Sequence, residues 1–275
     1  MTKETQSAAE LMDRINREAW RAPDSVDWFR TLEGWTDVGE RVAIERIAAE
    51  VKDQPILDLG VGAGRTVPLL RGISQDYTAI DYTPELVAVC RNKYPELRVF
   101  QGDARNLSDF AAESFGLVVF SFNGIDAVNP EDRIKILREA HRVLRKGGIF
   151  LFSAHNQRGP GHGERLKLGV YPTHNPLKLA RRIFRALWNS ARTISNYLRY
   201  SRLNQRADGY SIMNAAAHNH GILIHYITMK KQREQLAATG FRSDPEIYGN
   251  LGGALISPGE ETSRDTWFHF IARKP

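Results

Sequence analysis

Between residues 55 and 153, short apolar runs alternate with helical patterns. The runs "ILDL" (56–59), "YTAID" (77–81), "LRVFQ" (97–101), "GLVVFSF" (116–122) and "GGIFLFSA" (147–154) are rich in Val, Ile and Phe and bounded by Gly or polar turns, which predicts five strands. Their near-continuous apolar character predicts burial on both faces, as in a parallel sheet. Helices are predicted over 64–72, 84–94 and 130–144. The second opens on Thr83-Pro84, a cap residue followed by proline at the first helical position. The third carries Ile134, Leu137, Ala140, His141 and Leu144 at three- and four-residue spacing and ends at Gly147-Gly148. Strand alternating with helix predicts a doubly wound α/β fold.

Past 155 the alternation stops. A Gly-, Pro- and His-rich loop leads into an amphipathic stretch, 177–203, whose positions Ala180, Ile183, Phe184, Leu187, Trp188, Ala191, Ile194 and Leu198 fall on one helical stripe. A helix at 229–239 and strands at 241–249 and 265–273 close the chain. Upstream, 38–52 reads as a helix covering the sheet, and 10–36, with Trp20, Trp28, Phe29 and Trp35, as a cap. These boundaries describe one domain over 1–275, with a cap at 1–36, a core at 37–155, a basic helical insertion or lid at 156–228, and the end of the core at 229–275.

Composition adds constraints. The chain has 275 residues, 42% hydrophobic and 25% charged, which is ordinary for a globular protein. No apolar run approaches the roughly 18–20 residues of a transmembrane helix. The polar, acid-bearing N-terminus reads as neither signal nor transit peptide. The lone Cys90 excludes an intramolecular disulfide and a cysteine-cluster metal site. A cytoplasmic protein is therefore expected. Net charge is +6, but residues 158–206 hold eleven Lys/Arg against Glu164, so this segment carries +10 and the remainder −4. Local basicity does not make nucleic acid an expected partner. It leaves open a lid with solvated arginines, attraction of an acidic substrate, or weak contact with an anionic membrane surface.

The chemistry begins at "ILDLGVGAGRTVPLL" (56–70), where Gly60, Gly62 and Gly64 follow a strand and open a helix. Glycines let backbone approach a ligand, and this loop lies at the carboxyl end of the first strand, where open α/β sheets bind ligands. Asp81 ends the second strand and suits ribose hydroxyls. NAD or any adenosine ligand fits these facts. The spacing is G-x-G-x-G, however, and Arg65 stands where a pyrophosphate needs open space. Further on, "GDARNL" (102–107) puts Asp103 at the end of the third strand, "SFNGID" (121–126) ends the fourth, and "EAHRVLRKGGIFLFSAHN" (139–156) joins helix to strand.

In this order the motifs resemble those of the class I S-adenosylmethionine-dependent methyltransferases. The resemblance spans about 55–155 and returns at 229–275, with "MKKQREQLAATGF" and a final strand. It implies a Rossmann-like seven-stranded sheet in the order 3-2-1-4-5-7-6 with strand seven antiparallel, S-adenosylmethionine as cofactor and S-adenosylhomocysteine as product. It also implies that Gly60, Gly62 and Gly64 pack against the amino-acid tail and ribose, and that Asp58 orients the tail's ammonium through water. Asp81 would hold the ribose, Tyr82 flank the adenine and Asp103 accept from its amino group, with Ala104 and Ser121 beside the cofactor.

Methyl transfer is an in-line displacement that needs alignment, exclusion of water and, for some acceptors, a base. Asn123 and Asp126 end the fourth strand, and His155 ends the fifth in "FSAHN". "HNHGILIHYITM" (218–229) adds His218, His220, His225 and Tyr226, and in resembling sequences this segment folds over the substrate. If it is extended, His218 and His220 share one side. Candidate catalytic residues are thus His218, His155 and Asp126; candidate acceptor contacts are Asn123, Tyr226, His220 and Trp28. No metal is assigned. "SFNG" departs from the Asn/Asp-Pro-Pro-aromatic motif of nucleic-acid amino-methyltransferases, which argues against methylation of base amino groups. The expectation is methyl transfer to oxygen or nitrogen of a small molecule, by a monomer or homodimer. An RNA or protein methyltransferase using the basic insertion, an NAD-dependent oxidoreductase and a non-catalytic cofactor-binding protein stand as alternatives.

Overall fold

The computed structural model describes residues 7–164, 166, 190–257, 259–260 and 264–275. Five parallel strands, β1 (Ile56–Leu59), β2 (Tyr77–Asp81), β3 (Arg98–Gln101), β4 (Phe115–Phe120) and β5 (Leu144–Asn156), lie in the order β3-β2-β1-β4-β5. Three short strands follow, β6 (Gln205–Ala207), β7 (Tyr210–Ala215) and β8 (Ile222–Ile227), and then β9 (Glu246–Gly249) and β10 (Trp267–Arg273). β10 runs antiparallel to β5 from Arg273↔Ile149 to Trp267↔His155, and β9 pairs with its far edge. The order β3-β2-β1-β4-β5-β10-β9 is the expected 3-2-1-4-5-7-6.

Alternation along each strand sends neighbours to opposite faces. Leu57, Val118, Phe150, Phe152 and Phe270 pack on one side. They meet Ile136 and Leu137 of α6 (Pro130–Val143) and Leu236 of α8 (Met229–Ala238). Ile56, Leu117, Val119, Leu151 and Ile271 pack on the other. There they meet Ala43 and Ile47 of α3 (Val38–Ala48), Leu70 of α4 (Val67–Arg71), and Val87 and Cys90 of α5 (Pro84–Lys93). Both faces are covered, which is why the central strands read as unbroken apolar runs.

The helix and strand around Leu144 differ from expectation. α6 stops at Val143 and β5 starts at Leu144, so Gly147 and Gly148 lie within the strand and do not terminate a helix. The buried face of α6 is also rotated: it holds Arg133, Ile136, Leu137, Ala140 and Val143, while Ile134 and His141 flank it.

The insertion is not simply helical. Of the expected stripe, Ala180, Ile183, Phe184, Leu187 and Trp188 lie outside the described residues. Residues 190–200 are helical (α7), but Ala191, Ile194 and Leu198 point to solvent, Leu198 at 69% exposure. Polar contacts hold this helix instead: Asn196 donates to the Asn219 carbonyl at 3.0 Å, and Tyr197 meets the His220 ring edge-on. The rest of the segment is sheet. β6, β7 and β8 form an antiparallel group, and β8 joins the main sheet through His155↔Tyr226 and Asn156↔Ile227. His155 already pairs with β10 on its other side, so β8 extends the sheet past the end of β4 and roofs the carboxyl ends of the central strands.

The N-terminal cap is two helices, α1 (Ala8–Arg21) and α2 (Pro23–Arg30). α1 opens with a reciprocal Ser7–Glu10 capping box. Its Met12, Ile15 and Ala19 bury against Ile212, Leu223, Met213 and Ile224 of the roof. Asn16 ties the two together, donating to the carbonyls of Leu223 and Ala127 and accepting from the Leu223 amide. Among the described residues no helix is long and apolar enough to cross a membrane.

Candidate active site

A cavity opens at the carboxyl ends of β1, β2 and β4, lined by Gly60, Gly62, Asp81, Tyr82, Ala104 and Ser121, with Ile80, Leu86 and Phe120 among its apolar walls. Gly60 has φ +66°, and a Cβ there would meet the Phe120 ring at 2.7 Å, so neither the conformation nor the space admits a side chain. Gly64 turns away from the cavity and packs on Tyr94. Asp81 fixes the loop: one oxygen accepts the Gly62 amide at 2.9 Å and the other the Thr83 amide at 2.7 Å. Burial pushes its carboxyl above the usual range.

Asp58 does not line this cavity. It is buried beneath the loop, where it accepts from Thr66 and Tyr77 hydroxyls, both at 2.6 Å, and burial raises its carboxyl to about 6. Asp103 is likewise engaged. Arg17 from α1 and Arg105 donate to it at 2.7 and 2.6 Å, and although burial opposes the shift, hydrogen bonds from Arg105 lead in holding its carboxyl down at about 2. Arg17 also lies 4.4 Å from the Tyr82 ring centroid. The cap therefore reaches the adenine side of the expected site through an arginine that the sequence did not single out. Ser121 sits in a second buried network, bonded to Glu40 and to Arg65 of the glycine loop. Arg65 and Glu40 form a two-pronged ion pair with contacts of 2.7 and 2.8 Å.

A second chamber adjoins the first and shares Trp20, Phe29, Phe122 and Ala127 with it. Here the structure brings together Asp126, His155, His218, Asn123 and Trp28. Asp126 Oδ2 accepts the His155 amide at 2.6 Å and lies 2.8 Å from His155 Nδ1. Its Oδ1 accepts from Arg133, whose guanidinium is wholly buried and also donates to Gln232 and to the Ile125 carbonyl. Burial draws Arg133 below its usual value while Asp126 opposes that shift. A carboxylate accepts only, so His155 carries its proton on Nδ1 and leaves the Nε2 lone pair available. The three residues form a line, Arg133–Asp126–His155, that ends on the chamber wall.

His218 reaches the same chamber from the roof. Ser25 Oγ donates to the Ala19 carbonyl at 2.7 Å, so the 2.8 Å contact with His218 Nδ1 requires a proton on that nitrogen. Its Nε2 has no hydrogen-bond partner among the described residues. Burial, reinforced by Arg192, pulls the imidazole down to about 4. His218, Asn219 and His220 have φ of 53°, 56° and 55°, a left-handed turn and not the extended segment expected. This turn separates the two histidines. His220 is buried against Asn214 at 3.1 Å and does not line the chamber. Tyr226 is also buried, donates to the Gly161 carbonyl at 3.0 Å, and packs beside His155 without facing the chamber. His225 lies buried on Tyr210.

Asn123 is left-handed (φ 60°), follows left-handed Phe122, and has a buried Oδ1 with no donor. Trp20, Trp28, Phe29, Phe122 and Trp267 give the chamber aromatic walls. Arg133 carried a legible signal: it precedes Ile136 and Leu137 by three and four residues, placing a charge on an apolar face. Ser25 and Phe122 carried none. Among the described residues no group of three His, Cys, Asp or Glu is placed to hold a metal ion.

Comparison with known proteins agrees with this geometry. Residues 56–148 match the family model for the methyltransferase domain. A demethylmenaquinone methyltransferase of Chlorobaculum parvum is 32% identical over 115 residues, 42% of this chain and 46% of that protein. A probable S-adenosylmethionine-dependent methyltransferase of Mycobacterium tuberculosis is 28% identical over 131 residues, 47% of this chain and 43% of that protein. The aligned part of the chain spans about half the length of these relatives. Among solved structures, the Burkholderia thailandensis 1,6-didemethyltoxoflavin-N1-methyltransferase, bound to its namesake compound and S-adenosylhomocysteine, superposes with a TM-score of 0.59 at 14% identity, covering 99% of this chain and 93% of that one. The matched segment is that of a methyltransferase domain, and the fold is the one seen in S-adenosylmethionine-dependent methyltransferases of solved structure.

Proposed function

We propose that the protein transfers a methyl group from S-adenosylmethionine to an oxygen or nitrogen of a small molecule, with His155 as general base. The carrying observation is the Arg133–Asp126–His155 line, which ends at a chamber that shares Trp20, Phe29, Phe122 and Ala127 with the glycine-loop cavity. The cavity fits the cofactor: glycines at the loop give close backbone approach, an apolar floor suits a purine, and Asp81 stands at the β2 end. Gly60, Gly62, Asp81, Tyr82 and Ser121 would hold it, and when bound it supplies an electrophilic methyl whose bonding pair leaves with sulfur.

The chain's own residues do the rest. Aromatic walls exclude water from the acceptor. His155 Nε2 takes the proton of the attacking O–H or N–H as its lone pair forms the bond to carbon. The Asp126 carboxylate fixes the productive tautomer and stabilises the imidazolium. Arg133 pairs with that buried carboxylate and holds it in place. None of the described residues lining the chamber is Lys or Arg, which supports a small neutral acceptor over a nucleic acid.

Calorimetric titration with S-adenosylmethionine, S-adenosylhomocysteine and NAD in parallel tests the cofactor half of this reading. Micromolar binding of the first two without NAD is expected; binding of NAD alone would overturn it.

A further inference from the structure

The chamber is walled in part by two histidines whose Nδ1 atoms are engaged by protein partners. We infer that the methyl acceptor is a neutral, planar dihydroxylated aromatic ring, held with its nucleophilic hydroxyl on His155 and its second hydroxyl on His218. This rests on the reading of His155 as base and adds the substrate class.

Three observations carry it. First, both histidines are locked in one tautomer by protein partners, Asp126 for His155 and Ser25 for His218. Each offers a lone pair on Nε2 and can satisfy only a donor. His218 stays neutral, because burial and Arg192 hold its imidazole down at about 4, so it does not become a cation that would attract an anion. Second, the walls are aromatic rings. Trp28 stacks over Phe122 with centroids 6.0 Å apart and an interplanar angle of 30°, while Phe29 meets both edge-on. Such a lining favours a flat apolar body over a flexible chain. Third, both oxygens of Asp126 are already engaged and none of the described residues lining the chamber is Lys or Arg, so an acceptor bearing a carboxylate or phosphate would lose its hydration with no countercharge in these walls to replace it.

The backbone supports the same assignment. Left-handed conformations in residues other than glycine cost about 1–2 kcal/mol each and persist where the surroundings impose them. They occur consecutively at Phe122-Asn123 and at His218-Asn219-His220, the two turns that bring Asn123 and His218 to the chamber. The orphaned Oδ1 of Asn123 is a further acceptor at this wall.

The test uses the full chain saturated with S-adenosylhomocysteine and titrated with catechol, hydroquinone, phenol, the monomethyl ethers of both diphenols, and benzoate. At least one diphenol should bind about tenfold more tightly than phenol and its own ether, and benzoate should not bind. His218→Phe should bring that ratio to within about twofold, and His218→Gln, which keeps an acceptor, should restore most of it. Retained S-adenosylhomocysteine affinity shows that each variant is folded; if His218→Phe is not, Ser25→Ala, which frees the ring to change tautomer, should lower the ratio instead. Equal binding of one- and two-donor rings, binding of benzoate as tight as of a diphenol, a ratio untouched by these variants, or no binding by any hydroxylated ring overturns the inference. A labelled-methyl assay separates the two levels. Transfer to aliphatic amines that depends on His155, with no transfer to diphenols, removes only the substrate class. Transfer to diphenols that is unchanged in His155→Gln removes the base and leaves the class standing.

Discussion

Asp126 holds His155 twice through one oxygen, accepting its backbone amide at 2.6 Å and approaching its Nδ1 at 2.8 Å. A ring held through both its own backbone and its side chain has little freedom to change tautomer. Asp126→Asn and His155→Gln should each lower turnover about 10²–10³-fold, measured as labelled-methyl transfer at saturating cofactor. Because the two act as one unit, the double variant should be scarcely worse than either single one. Fully multiplicative losses would mean that they act separately.

Arg133 belongs to the same line but answers to a different measurement. It is the compensating charge for an Asp126 that is 1% exposed. Arg133→Met should destabilise the fold by about 3–5 kcal/mol in urea unfolding. The same change in an Asp126→Asn background should cost much less. An equal cost in both backgrounds would show that Arg133 acts through packing.

Two glycines of the loop should respond unequally. A Cβ at Gly60 meets the Phe120 ring at 2.7 Å, whereas one at Gly62 meets nothing nearer than Phe29 at 3.9 Å. Both have positive φ, which costs about 1 kcal/mol or more for alanine. Gly60→Ala should therefore abolish S-adenosylhomocysteine binding, and Gly62→Ala should weaken it by about tenfold. Equal effects would place the cause in backbone strain and not in the Phe120 contact.

The His218 imidazole is held down at about 4, first by burial and then by Arg192. In the unfolded chain it takes up a proton near 6.5. Between these values the unfolded state binds a proton that the folded state does not. Its stabilising contribution is therefore full above about pH 6.5 and lost as pH falls towards 4, by up to about 3 kcal/mol. His218→Gln removes this dependence, so the stability difference between wild type and variant should shrink by that amount from pH 7 to pH 4 in urea unfolding. A constant difference would place the ring in contact with water.

The parallel half of the fold was legible because it is made of local signals: apolar runs, glycine breaks and Thr83-Pro84. The spacing of Asp126 and His155, by contrast, says nothing of their contact; strand pairing sets it. The roof strands carried little local signal because they are short and follow a strongly basic amphipathic stretch. His218 and His220 share one side only if their segment is extended, and the left-handed turn at 218–220 sends them apart. Tertiary ion pairs hid in the same way. Asp103 looked free at the end of β3, and only the docking of α1 brings Arg17 to it at 2.7 Å.

The roof strands meet the main sheet at just two residues of β5, and the segment that carries them lies outside the stretch shared with the methyltransferase-domain family, 56–148. On the proposed reading, the chamber for the methyl acceptor is therefore walled from two sources, with Phe122, Asn123 and Asp126 coming from the shared stretch and His218, Ile222 and Ile224 from the added roof.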